Sequence, residues 1–212
     1  MGSLSPNSVS YLFTEQDPSA AVALGRAFVD DPALGALIPG IEEPAERVDR
    51  FIRFFAAVMR LMRRFGHPIF GIVDGGKVAG TAIVEGSLQP TPVATVMSGL
   101  IDLPRFVGAL GFEGTLRAIR LMDALARNHP REAHIYLNFL GVDPAFQRRH
   151  YGIAILDYLR DLARIRSDVI GVYLETATPA NVPYYERAGY EVLSEIRPLG
   201  VKMWRMLQRR AA

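Results

Sequence analysis

The strongest constraint in this sequence is a strand–helix–strand pattern that opens the last 80 residues of the chain. Ala133–Val142 is a nearly unbroken apolar run, which is typical of a buried strand. Ile153–Arg166 carries apolar residues at spacings of three and four, which predicts an amphipathic helix. Gly171–Thr176 predicts a second strand. Because a helical crossover returns the chain to the same end of a sheet, we expect these two strands to be parallel.

The remaining segments predict a central mixed β-sheet flanked by helices. The predicted strands and helices, in chain order, are a strand at Val9–Phe13, a helix from Asp17 to about Val29, a helix from Glu43, a hairpin of Ile69–Val73 and Val78–Glu85, a helix at Pro179–Arg187, and strands at Tyr190–Ser194 and Val201–Met206. The fold class is therefore mixed α/β.

One stretch interrupts this alternation. Residues 86–102 contain Pro90 and Pro92 and predict irregular structure, whereas Leu103–Asn128 is helical in character. Three glycines, at positions 108, 111 and 114, are expected to loosen the first part of that helix. We interpret residues 86–130 as a helical insertion that covers the sheet.

Composition narrows the organisation and the chemistry. A chain of 212 residues that is 50% hydrophobic is expected to form one domain spanning residues 1–212. It contains no cysteine, which excludes disulfides, thiolate metal sites and a cysteine nucleophile. Its 24 basic and 22 acidic residues leave a formal charge of +2, so no nucleic-acid partner is predicted.

Location follows from the distribution of apolar residues. The apolar runs are broken by charges well before the ~20 residues that a membrane-spanning helix needs. Residues 1–16 lack a basic start followed by an apolar core, so no secretory signal is predicted. We therefore expect a cytoplasmic protein with no membrane partner.

The junction between the first parallel strand and its helix is the most informative segment. It reads Leu140-Gly141-Val142-Asp143-Pro144-Ala145-Phe146-Gln147-Arg148-Arg149-His150-Tyr151-Gly152-Ile153-Ala154. The start of a helix exposes unpaired N–H groups and carries partial positive charge, so it favours phosphate. Arg148 and Arg149 could add charge-assisted hydrogen bonds. The same pattern is also compatible with a capped turn that carries surface arginines.

A second segment follows the second parallel strand. It reads Asn181-Val182-Pro183-Tyr184-Tyr185-Glu186-Arg187-Ala188-Gly189-Tyr190. Together the two segments resemble the GCN5-related N-acetyltransferase (GNAT) superfamily. The first is similar to its acetyl-CoA loop, Q/R-x-x-G-x-G/A, and the second to its N-x-P-x-Y-E-R-x-G-F/Y signature. The C-terminal strand segment, which contains Met203-Trp204-Arg205-Met206, is similar to that of puromycin-type small-molecule acetyltransferases; the resemblance covers about residues 129–206.

The loop departs from the family pattern at one position. Aligned from Pro144, Gln147 takes the Q/R place and Gly152 the second glycine, while His150 stands where the first glycine usually lies. Histidine is one of the few other residues enriched at positive φ, so we expect the loop to keep its shape. A register that starts at Arg149 also fits the pattern but alters the spacing from the proline.

The resemblance implies a GNAT-like fold whose parallel strands splay apart at an acetyl-CoA site. Backbone groups of Leu140 and Val142 would pair with the pantetheine arm, and Asn181 would hydrogen-bond to it. The pyrophosphate would lie against the N–H groups of residues 148–153. The predicted coenzyme-binding residues are Leu140, Val142, Gln147, Arg148, Arg149, His150, Tyr151, Gly152, Ile153 and Asn181.

The resemblance also implies that Tyr185 is the general acid near the thioester sulfur. A thiol ionises near pH 8.5 and a phenol near pH 10, so a phenol can donate a proton to a leaving thiolate. The alternative is that Tyr185 packs the short helix onto the sheet. Its neighbour Tyr184 is expected to serve packing.

The attacking amine must lose a proton, because a lysine-like amine is almost fully protonated at pH 7. Glu175, near the carboxyl end of the second parallel strand, is our first candidate for the general base. Glu85, which ends the hairpin, is the alternative. Glu175 could instead be a structural carboxylate paired with an arginine.

Other ionisable groups suggest less. His67, His129, His134 and His150 show no metal-ligand spacing, so no metal is predicted and single histidines are interpreted as structural. The arginines at positions 60, 63 and 64 are interpreted as the solvated end of a helix, with a coenzyme phosphate or an acidic partner as the alternative.

These observations favour an N-acetyltransferase that transfers an acetyl group from acetyl-CoA to a small-molecule primary amine by direct attack in a ternary complex. Apolar residues of the insertion (Leu100, Leu103, Phe106, Val107 and Phe112) would line the acceptor site or simply attach the insertion to the sheet. The alternatives are a protein or peptide amine as acceptor, and a non-catalytic acyl-CoA-binding regulatory domain. A homodimer joined through the C-terminal strands is possible by analogy with the fold.

Overall fold

A computed structural model describes residues 8–86 and 92–210, with the side chains of residues 92–100 left out. Seven strands form one sheet in the order β1-β2-β3-β4-β5-β7-β6. The strands are β1 (Ser10–Tyr11), β2 (Ile69–Asp74), β3 (Lys77–Glu85), β4 (Ile135–Val142), β5 (Gly171–Thr176), β6 (Glu191–Ile196) and β7 (Met203–Arg209). Among the strands of the described residues, only β4 and β5 run parallel, and every other neighbouring pair is antiparallel. The predicted mixed α/β fold and parallel pair are thus confirmed.

Six helices flank this sheet within the described residues. They are α1 (Asp17–Ala27), α2 (Pro32–Gly35), α3 (Pro44–Arg64), α4 (Pro92–Ala126), α5 (Tyr151–Arg164) and α6 (Asn181–Arg187). Helices α1 and α3 pack together on one face, where Phe55 is fully buried against Phe28, Phe54 and Phe139. Helix α5 covers the other face through Ile155, which is also fully buried. The sheet therefore separates two apolar clusters.

The helix α4 corrects one expectation. Residues 86–102 were expected to be irregular, yet α4 already begins at Pro92. Proline is compatible with the first helical position, because its fixed φ suits a helix and its missing N–H would be unpaired there anyway. Of the three glycines, only Gly111 leaves the helical conformation, with φ 75° and ψ 171°. The predicted loosening is thus confined to one break.

Two of the helices are joined by an ionic contact that involves the predicted arginine cluster. The carboxylate of Asp102 on α4 is fully buried and lies 3.5 Å from Arg60, 3.3 Å from Arg64 and 3.1 Å from Arg105. Arg63 points elsewhere and binds Asp17 at 2.6 Å. The interpretation of a solvated helix end holds for Arg60 and Arg64, which are exposed, but all three side chains also bind carboxylates of α4 or α1.

Candidate functional site

The parallel strands part soon after they begin. β4 and β5 pair only at Ile135 with Val172 and at Tyr136 with Tyr173. Beyond these residues β4 keeps its other neighbour, since Leu140 and Val142 remain paired with β3. β5 likewise stays paired with β7 as far as Thr176. The main chains that line the resulting gap therefore offer hydrogen-bonding groups that neither strand uses for the other.

We call the paired side at Ile135 and Tyr136 the narrow end of this gap, and the side toward Val142 and Thr176 the wide end. The loop that leads from β4 into α5 lies at the wide end. Asp143 caps a short 3₁₀ turn, because its carboxylate accepts a 2.9 Å hydrogen bond from the N–H of Ala145. Residues 147–150 that follow are exposed. Arg148 and His150 both adopt positive φ, at 63° and 60°. His150 thus takes the left-handed conformation that a glycine would have provided.

The start of α5 is uncapped within the described part of the chain. His150 is its N-cap residue, but no side chain accepts a hydrogen bond from the first turn. The first bond within the helix runs from the N–H of Ala154 to the carbonyl oxygen of His150 at 3.0 Å. The N–H groups of Tyr151, Gly152 and Ile153 consequently lack partners inside the helix and give its start partial positive charge.

Gly152 allows close packing at this point. A Cβ atom placed on it would lie 2.4 Å from the hydroxyl oxygen of Tyr184 on α6. The absence of a side chain thus lets Tyr184 approach the start of α5. Tyr184, which was expected only to pack, therefore borders the helix start where the coenzyme residues are predicted.

Two of the predicted coenzyme residues are already engaged. The guanidinium group of Arg149 donates to Asp74 Oδ2 at 2.6 Å, and the hydroxyl of Tyr151 donates to the same atom at 2.7 Å. Both side chains therefore fasten the loop to the β2–β3 turn. Arg148, the residue before Arg149, is exposed, and its backbone adopts the left-handed conformation.

The turn between β5 and α6 closes the gap from the other side. Asn181, the first residue of α6, points its amide at Thr176 Oγ1, 3.4 Å away. Thr178 reaches across to Asp31 before α2, at 3.4 Å. Burial raises the pKa of Asp31 although two backbone N–H groups bind it. Asp31 was not singled out from the sequence because Asp31-Pro32 was interpreted as part of a loop, whereas Asp31 caps α2.

Tyr185 approaches the parted strands from the α5 side. It is buried among the apolar residues under α5, and its ring makes edge contacts with Tyr184 and Tyr190. Burial raises the pKa of its phenol well above the ordinary value of 10.0, and the nearby Tyr184 and Asp31 raise it further. The phenol therefore keeps its proton across the neutral range.

Glu175 approaches from the opposite face. Its side chain is only 2% exposed, whereas the residue as a whole is half-buried, so what is exposed is its main chain beside the gap. Tyr173 donates a 2.7 Å hydrogen bond to Glu175 Oε1, and Arg205 Nε donates to the Tyr173 hydroxyl at 3.1 Å. Burial raises the pKa of Glu175 to about 7, in spite of the hydrogen bonds from Tyr173 and Tyr136. A carboxylate in this condition accepts protons near neutral pH.

A second carboxylate lies on the same face. Glu85, at the end of β3, accepts a 2.5 Å hydrogen bond from the amide of Asn138 on β4. Burial raises its pKa above the ordinary 4.5, although His67 and His134 oppose this effect. The two candidate bases therefore share one polar face of the sheet.

The tyrosines and the arginine around Glu175 were missed by sequence reasoning. Tyr136, Tyr173 and Arg205 come from three different strands, and no linear motif joins them. One local signal was available: the strand period of two places Tyr173 and Glu175 on the same face. The pairing of Tyr136 with Tyr173 depends on strand register, which the sequence does not reveal.

The expected apolar lining of α4 divides into two groups. Phe106 packs on Phe54 of α3, with ring centroids 6.0 Å apart. Phe112 is 71% exposed and lies on the surface. Phe106 therefore attaches α4 to α3, whereas the side chain of Leu100 lies outside the part of the chain that the structure describes.

Two features are absent from the part of the chain that the structure describes. No helix within residues 8–86 and 92–210 is long and apolar enough to cross a bilayer. In the same residues, no group of three or more histidine, aspartate or glutamate side chains is arranged to hold a metal ion.

An α/β sheet whose parallel pair parts beside an uncapped helix start defines the class of fold. The sequence profile described as "Acetyltransferase (GNAT) family" matches residues 36–190. The chain therefore belongs to the GNAT acetyltransferase family, as the two motifs indicated.

Solved structures agree on the fold. A Corynebacterium glutamicum protein described as histone acetyltransferase HPA2 and related acetyltransferase is 22% identical, with a TM-score of 0.69 and 97% of each chain covered. Arylalkylamine N-acetyltransferase 2 from Aedes aegypti is 12% identical, with a TM-score of 0.60, covering 97% of this chain and 99% of that one. The ribosomal-protein-S18-alanine N-acetyltransferase of Escherichia coli is 18% identical, with a TM-score of 0.52, covering 97% and 95%.

Proposed function

We propose that this protein is an acetyl-CoA-dependent N-acetyltransferase that acetylates a small-molecule primary amine by direct attack in a ternary complex. The observation that carries the proposal is the position of Glu175. Its buried carboxylate stands two residues beyond Tyr173, where β5 has just separated from β4. Family membership supports acetyl transfer, and this carboxylate supplies a base for it.

The residues around the gap fit the coenzyme. The uncapped start of α5 offers three N–H groups to a pyrophosphate, and Gly152 leaves the helix start without a side chain. The exposed main chain of Glu175, and of Leu140 and Val142 opposite, offers hydrogen bonds to the amide groups of a pantetheine arm. Asn181 lies at the same opening. When bound there, acetyl-CoA supplies the thioester that the amine attacks.

Glu175 is proposed as the general base. An ordinary glutamate, with a pKa near 4.3, is a weak acceptor for an amine proton at pH 7. Because burial raises the pKa of Glu175 to about 7, the same carboxylate becomes a stronger base while remaining largely ionised above neutral pH. Glu85 is the alternative base on the same face.

Tyr185 is proposed as the general acid. It reaches the parted strands from the face opposite Glu175, so proton removal and proton donation occur on two sides of the gap. Its raised pKa keeps the phenol protonated, so that it can donate a hydrogen bond, and with it a proton, to the sulfur as negative charge develops there. Direct attack also agrees with a chain that contains no cysteine for an acetyl-enzyme.

The decisive experiment is a thiol-release assay with acetyl-CoA and a panel of amines that includes small alkyl and aryl amines and a lysine peptide. We expect amine-dependent release with small amines, and a kcat about 10²-fold lower or more in Tyr185→Phe and Glu175→Gln. The matched control is Tyr190→Phe, which removes a buried hydroxyl that has no hydrogen-bond partner among the described residues. This variant should retain activity.

Three results would contradict the proposal in different ways. Release that needs no amine, or no release at all, would remove the transferase function. Coenzyme A binding in a thermal-shift assay without turnover would favour a regulatory binding domain. Acetylation of the peptide but not of the small amines would reassign the acceptor class.

A further inference from the structure

A small polar cavity lies at the narrow end of the parallel pair, behind Glu175. It has a volume of about 220 Å³. Its lining consists of Glu85, Gly86, residues 129–134 and Tyr136. The predicted coenzyme residues lie at the opposite, wide end of the gap. This cavity is therefore a separate opening on the face that carries both candidate bases.

His129 connects the cavity to Glu175. Its Nε2 atom lies 3.6 Å from Glu175 Oε1, and its side chain is 18% exposed against 2% for Glu175. The imidazole ring is held by edge contacts with Tyr136 and Tyr173, at centroid distances of 4.4 and 5.0 Å. It thus touches both the buried carboxylate and the cavity.

We propose that His129 carries the proton of each acetylated amine from Glu175 to water in this cavity. The inference rests on the proposed function, because it assumes that Glu175 receives that proton. The O–H bond of Glu175 breaks as an N–H bond forms at His129 Nε2. The resulting imidazolium releases a proton to cavity water, and both groups return to their starting states.

The other groups that face Glu175 are poorly suited to this task. Tyr173 and Tyr136 donate hydrogen bonds to Glu175, and burial raises the pKa of both phenols. The Tyr173 hydroxyl also accepts a hydrogen bond from Arg205 Nε. Arg205 has no lone pair with which to accept a proton. Glu85 acts on the Glu175 carboxylate as a like charge, while its own carboxylate accepts a hydrogen bond from the amide of Asn138.

The lowered pKa of His129 favours rapid release of its proton to water. Burial, His134 and Arg205 together lower the pKa of His129 to about 4, so the ring rests as a neutral acceptor. Transfer from Glu175, with a pKa of about 7, is then unfavourable by about a thousandfold. A fleeting population of this size exchanges far faster than typical turnover of 1–10³ per second. The 3.6 Å separation is spanned by a small ring rotation or by one water molecule.

The test uses His129→Phe and His129→Gln in the full chain, with acetyl transfer followed at saturating acetyl-CoA and amine. Phenylalanine keeps the edge contacts, and glutamine keeps polarity without a titrating group. We expect kcat to fall about tenfold or more in both, with little change in KM for acetyl-CoA. His129→Ala should regain activity as imidazole is added, because the free base replaces the missing ring. Such rescue would not follow from a purely structural role.

Glu132→Gln is the matched control. Glu132 lines the same cavity, but it is exposed and belongs to neither the contacts of Glu175 nor those of His129. It should retain most activity and show no imidazole response. If wild type and Tyr190→Phe transfer acetyl groups, Glu175→Gln does not, and the His129 variants equal wild type, the relay is overturned while the proposed function stands. If wild type transfers nothing, the proposed function itself fails.

Discussion

The two ends of the β4–β5 pair are built in opposite ways. At the wide end, the loop of residues 147–150 is exposed and the start of α5 offers main-chain N–H groups. At the narrow end, Glu175 is buried among side chains that belong to five separate segments. The wide end therefore offers main-chain N–H groups, and the narrow end offers titratable side chains. The difference matches two tasks, since phosphate binding needs oriented N–H groups and proton transfer needs a tuned acid–base pair.

The same contrast determines which property of the protein a substitution at each end should change. At the wide end, an ion pair from Arg149 and a hydrogen bond from Tyr151 attach the loop to Asp74. At the narrow end, a carboxylate is buried away from water, and this loss of solvation disfavours its charge. We therefore expect substitutions at the narrow end to change stability with pH, and substitutions at the wide end to change coenzyme binding.

The largest expected effect is on stability in Glu175→Gln. The pKa of Glu175 rises from the ordinary 4.5 to about 7 on folding, so the native protein binds this proton more tightly than the unfolded chain. Its contribution to the free energy of unfolding is thus complete below pH 4.5 and is lost as the pH rises to about 7. Glutamine does not titrate. The variant should therefore gain up to about 3 kcal/mol relative to wild type between pH 4 and pH 8.

Denaturant unfolding at several pH values measures this difference. Glu132→Gln removes an exposed carboxylate from the rim of the same cavity and is the control. A stability difference between Glu175→Gln and wild type that stays constant with pH would show that burial of Glu175 does not disfavour its charge.

A smaller effect is expected at the wide end for Gly152→Ala. The added methyl would meet the hydroxyl of Tyr184, whose ring must then move, and the free energy of unfolding should fall by about 1 kcal/mol. Coenzyme A binding should weaken as well, since the methyl stands at the helix start. In the double variant with Tyr184→Phe, the hydroxyl is gone and stability should return, while binding stays weak.

Thermal unfolding with and without coenzyme A separates these two consequences. Tyr184→Phe alone is the matched control. If the double variant recovered both stability and coenzyme affinity, Gly152 would matter only for packing against α6.

These two ends also differ in how far the sequence predicted them. The wide end was found because its residues are contiguous: the loop from Gln147 to Ile153 and the segment from Asn181 to Tyr185 each carry a linear motif. The backbone conformation at His150 was also predicted, because histidine tolerates the left-handed region, and the structure shows φ 60° there. The roles of these residues toward the coenzyme stay a prediction.

The narrow end was found only in part. Glu175 and Glu85 were named as candidate bases, yet the groups that tune them come from β4, β7 and the loop before β4. Their meeting depends on strand order and register, because β7 lies between β5 and β6 and brings Arg205 beside Tyr173. The histidines were judged by metal spacing along the chain, and that test overlooks a histidine that faces a distant carboxylate. The α4 start at Pro92 was missed because proline was interpreted as a breaker.

An effect confined to the pH profile tests whether the narrow end tunes Glu175 as described. The hydroxyl of Tyr173 donates a 2.7 Å hydrogen bond that lowers the pKa of Glu175 against the effect of burial. In Tyr173→Phe this bond is lost, so the pKa of Glu175 should rise further, by about one unit. Because the base works in its ionised form, the acidic limb of the kcat/KM profile should move to higher pH, with the rate at pH 9 nearly unchanged. Tyr190→Phe should leave the limb in place. A limb that stayed fixed in Tyr173→Phe would show that Glu175 is not the titrating base, and the comparable variant to examine would then be Asn138→Ala, which removes the hydrogen bond to Glu85.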